Sequence, residues 1–272
     1  MEIPDGPRAA EILTATLAPR PFVVAIFRNG STVVGAGQPG SDVDFTVILR
    51  RKSDRAKTLA LLRGRLEYLG LDHGVPTFRG RRRIGVVLLA RSTVEGILRS
   101  LYRTPESLLE LQGVVQHKIV EAAAVHDPRG VLPRYQRRAT AYPARIQRAV
   151  FAKAIRSLEV AYRDWGTRNE FHFAASLPPI LEAICVALYA RNRRLFMVPG
   201  KRLHRDLRTL RPDLEEDLRG LVRSGGSARS RREGREILGG IVDRLRTGFP
   251  PLESRRGDYR KSRSPVARVR GA

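Results

Sequence analysis

Ala25-Ile26-Phe27-Arg28-Asn29-Gly30-Ser31 and Gly40-Ser41-Asp42-Val43-Asp44-Phe45-Thr46-Val47-Ile48-Leu49 are the two stretches that decide how this chain folds. Each reads as an apolar strand, and the small residues Gly30 and Ser31 stand at the end of the first. Side chains of an extended strand alternate between faces, so Asp42 and Asp44 share one side while Val43 and Phe45 enter the apolar side. Two carboxylates so close together call for a cation between them. Oxygen donors of this kind suit magnesium, which binds one or two protein carboxylates together with substrate phosphates. Gly30 and Ser31 offer a phosphate close backbone approach, free N–H donors and a hydroxyl.

Working outward, Ala9 to Leu17 has helical spacing and ends near Pro19, ahead of a first strand at Phe22 to Phe27. The second strand spans Asp42 to Leu49. Asp54 is placed to cap a helix over Arg55 to Leu69, with Leu59, Leu62, Leu66 and Leu69 on one face and Gly70 at its end. A short strand near Val75 to Phe78, a basic turn and an apolar strand Ile84 to Ala90 follow. From Ser92 the pattern becomes helical: Thr93 to Tyr102, Pro105 to Gln112, a brief strand over Val120 to Val125, and a turn through His126 to Gly130. Leu132 to Leu221 reads as helices broken at Pro143, Gly166, Pro178-Pro179 and Pro199-Gly200. Ser224-Gly225-Gly226-Ser227 predicts a flexible joint, Glu233 to Arg246 one more helix, and Leu252 to Ala272 a disordered basic tail.

The 272 residues, 42% of them apolar, bound the chain to one or two globular domains with a sizeable core. The boundaries expected are a first domain over residues 1–115, a helical domain over 116–222, and a flexible basic region over 223–272. No secretory signal is visible, and the apolar run Ala183 to Ala190 is far short of the roughly 20 residues a bilayer requires. A soluble, cytoplasmic protein without a membrane partner is expected. The single cysteine, Cys185, lies in that run and reads as a core residue. The formal charge is +24, carried mostly by arginine. It is read either as a surface for nucleic acid or as a basic, solvated face with a basic tail, and the absence of interleaved aromatics favours the second.

The Gly-Ser, the spacer of residues 32–41 and the Asp-x-Asp on a strand resemble the signature of the nucleotidyltransferase superfamily, the polymerase-beta-like fold. The resemblance implies an α/β (α+β) core with a mixed sheet, followed by an all-helical domain. It further implies transfer of a nucleoside monophosphate, AMP from ATP, out of a Mg2+-bound triphosphate to an acceptor hydroxyl, with release of pyrophosphate. One or two Mg2+ ions would be held by Asp42 and Asp44. Gly30, Ser31 and Ser41 would bind the phosphates.

The second half adds weaker likenesses. Val125 to Gly130, Ala141-Tyr142-Pro143 and Pro199-Gly200-Lys201-Arg202-Leu203 resemble the helical region of bacterial nucleotidyltransferase-domain proteins, broadly similar to antibiotic adenylyltransferases. In such proteins the helical half helps to bind a small-molecule acceptor. Lys201 is read either as a point charge reaching the triphosphate or as one more exposed cation. His172 and Glu170 are candidates to position the acceptor or move a proton, and the packing reading of His172 is the stronger of the two. Glu182, between apolar neighbours, serves as general base if it faces the cleft and has no role if it faces solvent.

The pattern departs from the superfamily at one point. Active members carry a third carboxylate on a later core strand, whereas Ile84-Gly85-Val86-Val87-Leu88-Leu89-Ala90 holds no acid. A base from the helical half, a misaligned strand, or a catalytically degenerate protein that binds nucleotide or nucleic acid without turnover all fit that departure.

Overall fold

The computed structural model describes residues 6–30, 33, 43–63, 71–72, 75–76, 84–165, 170–195, 207–208, 210–224 and 228–247. From the N-terminus, helix α1 (Gly6–Leu17) leads to strands β1 (Val23–Asn29) and β2 (Val43–Leu49), then helix α2 (Asp54–Arg63). A two-residue ladder of β3 (Leu71–Asp72) and β4 (Val75–Pro76) precedes β5 (Ile84–Ala90). Helices α3 (Arg91–Ser100) and α4 (Pro105–Val115) run into a π-helical turn, Gln116–Val120, and strand β6 (Ala123–His126). Helices α5 (Val131–Thr140), α6 (Ala144–Asp164), α7 (Glu170–Arg191), α8 (Glu215–Arg223) and α9 (Ala228–Arg246) follow.

The sheet has the order β5-β2-β1-β6. β1 pairs antiparallel with both β2 and β6, and β5 lies parallel to β2, so the sheet is mixed. The class is therefore α+β, with a mixed sheet first and helices after it, as the strand and helix pattern predicts. β6 comes from beyond residue 115, so the expected boundary at that point would divide the sheet. That boundary is corrected by the pairing of Ala123, Ala124 and His126 with β1.

Both faces of the sheet are covered, which explains the nearly continuous burial of β1 and β2. Val43, Phe45, Val47 and Leu49 pack with Ile26, Ile84 and Val86 against Leu13 and Leu17 of α1 and Leu62 of α2. Phe27 and Ile48 point the other way, into a cluster built from α3 to α9. Asp44 and Thr46 share the face of Ile48 by alternation. Complete burial of each large side chain, such as Phe27 or Phe45, contributes about 1.5–3 kcal/mol.

Polar side chains close the helices. Asp54 is the first residue of α2, and not the cap ahead of it as expected; its carboxylate reaches back and accepts from the Arg51 N–H at 3.0 Å. Thr104 Oγ1 accepts from the Ser107 N–H at 3.1 Å ahead of Pro105, and the two oxygens of Asp127 accept from the N–H groups of Val131 and Leu132 at 2.8 Å. The Arg191 guanidinium donates to the carbonyls of Arg244, Leu245 and Thr247, closing the C-terminal end of α9.

Two sequence expectations are corrected here. Pro178-Pro179 does not break the chain, for α7 runs through both. Each proline removes one i→i−4 bond, from the carbonyls of Ala174 and Ala175, and all four residues are exposed, so water satisfies the freed oxygens. The stretch 174–191 is long and apolar enough to cross a bilayer by composition. Its apolar side chains Ile180, Ile184, Ala187 and Leu188 are instead buried in the core shared with α6. The helix expected over Glu233 to Arg246 is present; what is corrected is its start, at Ala228, and its place in the core in a region expected to be flexible. Residues 228–246 form α9, whose Leu238, Ile241, Val242 and Leu245 repeat at helical spacing and are buried in the same core. Residues 252–272 lie outside the described residues.

Candidate functional site

β1 ends at Asn29, directly opposite Asp44 of β2 in the antiparallel register. Gly30 follows at φ +92°, a conformation that glycine adopts and other residues adopt only under strain. A Cβ added there would stand 3.1 Å from Asp44 Oδ2 and 3.6 Å from His117 Cε1. The bare backbone at Gly30 is thus what lets the carboxylate and the imidazole close up beside it. Gly30→Ala is expected to lower stability by about 1 kcal/mol through backbone strain, read as a fall in the urea midpoint with an unchanged slope.

His117 comes from the π-helical turn that continues α4. Its Nε2 lies 3.4 Å from Asp44 Oδ2, and the two side chains are 26% and 28% exposed. A π-helical turn widens the ladder and commonly marks a functional position. Lys118, next along the same turn, is half-buried and acts on Asp44 through its charge. Burial alone would raise the Asp44 pKa, but bonding to His117 and the charges of Lys118 and His117 outweigh it and hold the carboxyl below its ordinary value of 3.8. Burial pushes the Lys118 ammonium below its ordinary 10.5, and Asp44 draws it back up.

The floor beneath this group is polar and partly unsatisfied. Asn29 is fully buried, and its Nδ2 donates to Thr46 Oγ1 at 2.6 Å. Among the described residues, Asn29 Oδ1 and His117 Nδ1 are buried without a hydrogen-bond partner. A buried acceptor left this way costs about 1–3 kcal/mol, so a group that completes these contacts gains by binding.

Of the residues singled out from sequence, the structure brings Gly30 and Asp44 together at the ends of β1 and β2. Asp42, Ser31, Ser41 and Lys201 lie outside the described residues, as do the side chains of Glu170 and His172. Glu182 is exposed on α7, which packs on α6, the orientation for which no role was expected, and among the described residues no contact joins it to Asp44. The apolar neighbours that suggested a buried acid belong to the opposite side of that helix. Cys185 is buried, with burial and then Glu182 pushing its thiol pKa up to about 12, which suits a packing role.

The register shows that β5 brings no acid beside Asp44. Gly85 aligns with Asp44 and Val87 with Thr46 in the parallel register, so these two hold the positions on the Asp44 face where a carboxylate would stand. Among the described residues no group of three or more His, Cys, Asp or Glu side chains could hold a metal ion. His117 and Lys118 were missed in the sequence. Their one signal is the polar run Gln116-His117-Lys118 at the end of the apolar helix α4, and nothing in it points to β2.

The mixed four-stranded sheet and the helices after it define an α+β fold. Among solved structures, the chain is similar to a nucleotidyltransferase-like protein from Exiguobacterium sibiricum 255-15, with a TM-score of 0.43 and 13% identity. The similarity covers 87% of this chain and 74% of that one. No protein-family model and no curated protein matches the chain.

Proposed function

We propose that the chain is a metal-dependent nucleotidyltransferase that moves a nucleoside monophosphate, AMP from ATP, to a hydroxyl of a small-molecule acceptor with pyrophosphate leaving. The observation that carries this reading is the pairing of Asp44 with Gly30: an ionised carboxylate beside an open stretch of backbone, where β1 ends and β2 begins. The donor set fits one magnesium ion. Asp44 supplies an oxygen ligand, Asp42 a second by the strand pattern, and substrate phosphates the rest. Bound there, the ion would neutralise charge on the phosphates as the α-phosphorus is attacked.

The chain's own residues then have separable duties. Gly30 and Ser31 take the phosphate chain against the backbone, with Ser41 beside the first aspartate. The fixed sheet register holds Asp44 in place, which is how a rigid site lowers the barrier by positioning. Lys201 is proposed as a further phosphate contact. Glu182, exposed on α7, is given no role. A cytoplasmic setting suits a triphosphate substrate.

A second reading is favoured by one observation, the alignment of Gly85 and Val87 with Asp44 and Thr46. Without an acid there, the same cradle would bind nucleotide or nucleic acid and not turn it over. Pyrophosphate release over a panel of nucleoside triphosphates and hydroxyl-bearing metabolites and antibiotics separates the two. Release with at least one acceptor is the expected result. Triphosphate binding without release from any acceptor would leave the binding protein as the better account.

A further inference from the structure

We infer that the His117–Lys118 pair takes the place beside Asp44 that a third carboxylate and a second divalent ion would hold, so that the site binds its triphosphate with one divalent ion per nucleotide and Lys118 supplies the remaining positive charge. The inference rests on the proposal that the site takes a nucleoside triphosphate.

Three observations converge on it. First, the parallel register fixes what stands next to Asp44 and Thr46 on their own face of the sheet: Gly85 and Val87, about 4.8 Å away across the strands, with no oxygen donor in either side chain. A second hard cation sharing Asp44 would need such donors, because magnesium and its relatives are held by oxygen. Among the described residues, an unpaired oxygen on the residue opposite Asp44 is the neutral side-chain amide oxygen Oδ1 of Asn29.

Second, the side chain that reaches Asp44 is an imidazole that can carry charge, and the next residue on the same turn is the cationic Lys118. His117 Nε2 stands 3.4 Å from Asp44 Oδ2, and the Lys118 ammonium acts on the same carboxylate. A divalent ion brought to that side of Asp44 would be repelled by the ammonium, while an anionic phosphate would be drawn to it.

Third, Lys118 is half-buried, yet no carboxylate lies within salt-bridge distance of its ammonium among the described residues. Burial without a close partner is costly for a charge meant only to stabilise the fold. It is what a phosphate-binding lysine needs, since the compact ammonium works as a point charge on a flexible stem. The two residues are consecutive on one π-helical turn, whose His117 meets Asp44 of β2.

The test uses the full-length chain, Mn2+ as the metal and a non-hydrolysable ATP analogue. Free Mn2+ is followed by electron paramagnetic resonance, and analogue affinity by calorimetry. The expected result is one Mn2+ per bound analogue, with affinity reduced roughly tenfold in Lys118→Met and kept within about threefold in Lys118→Arg. Two Mn2+ per analogue would overturn the inference. So would Lys118→Met binding as the wild type does, which would make Lys118 a purely structural cation. If the wild type folds, by circular dichroism, but binds no analogue, the nucleotidyltransferase reading fails along with this one. Analogue binding that ignores Lys118 overturns this inference and leaves the nucleotidyltransferase reading standing. Should Lys118→Met fail to fold, the wild-type Mn2+ count and Lys118→Arg still decide.

Discussion

Asp44→Asn is expected to weaken Mn2+-dependent binding of the ATP analogue by at least ~100-fold, equivalent to about 2.7 kcal/mol. The substitution keeps the shape of the side chain and removes its charge, so the loss reads the carboxylate and not a cavity. In excess chelator the sign reverses. Without metal, Asp44 repels the phosphates, so the asparagine variant should bind the analogue as well as the wild type or better. A merely structural Asp44 would predict equal losses with and without metal, and that outcome would defeat the assignment of Asp44 as the metal ligand. Stability moves separately. Because folding lowers the Asp44 pKa, its contribution is complete above the ordinary value of 3.8 and disappears as pH falls through the lower folded value. Binding should therefore be compared at neutral pH, where the wild type carries the full charge.

What could be read from the residues alone, and what could not, follows from the range of the interactions concerned. Alternation along β2 placed Asp44 opposite Val43 and Phe45, and the two hydrophobic clusters divide along that line. The glycine after β1 was legible because its chemistry is local. His117 was not legible, because its meaning depends on a helix some seventy residues further along docking on the sheet, and no period in the sequence encodes that contact. The empty place on β5 was visible as an acid-free strand, but only the pairing of Asp44 with Gly85 shows that no acid has slipped by one residue to fill it. Pro178-Pro179 misled for a related reason: a proline breaks a helix when its lost bond leaves a buried carbonyl, and here the carbonyls face water. Glu182 was left open because apolar neighbours on a helix belong to the other face as often as to the residue's own.

The largest effect on stability is expected at a position remote from the site. Gly234 lies within α9, where alanine would ordinarily gain about 1 kcal/mol over glycine. Its backbone, however, is pressed against two neighbours. An added Cβ would come to 2.3 Å from Ser224 Oγ, 2.7 Å from Ser224 Cβ and 3.0 Å from Trp165 Cζ2. Neither neighbour yields easily. Ser224 is buried and its hydroxyl donates to the Leu221 carbonyl at 2.7 Å, ending α8, while the Trp165 indole N–H donates to the Arg231 carbonyl of α9 at 2.6 Å. Overpacking of this kind costs about 3 kcal/mol, so the clash outweighs the helix gain. Gly234→Ala should destabilise by about 2 kcal/mol, read from the midpoint of urea unfolding. The double variant Ser224→Gly, Gly234→Ala identifies the cause, for it removes both of the closest atoms. Alanine at 234 should then cost less than about 1 kcal/mol relative to Ser224→Gly alone, since only the Trp165 contact remains. An undiminished penalty in that background would place the strain at Trp165. α9 would then be held to the core by the indole and not by the close approach of α8.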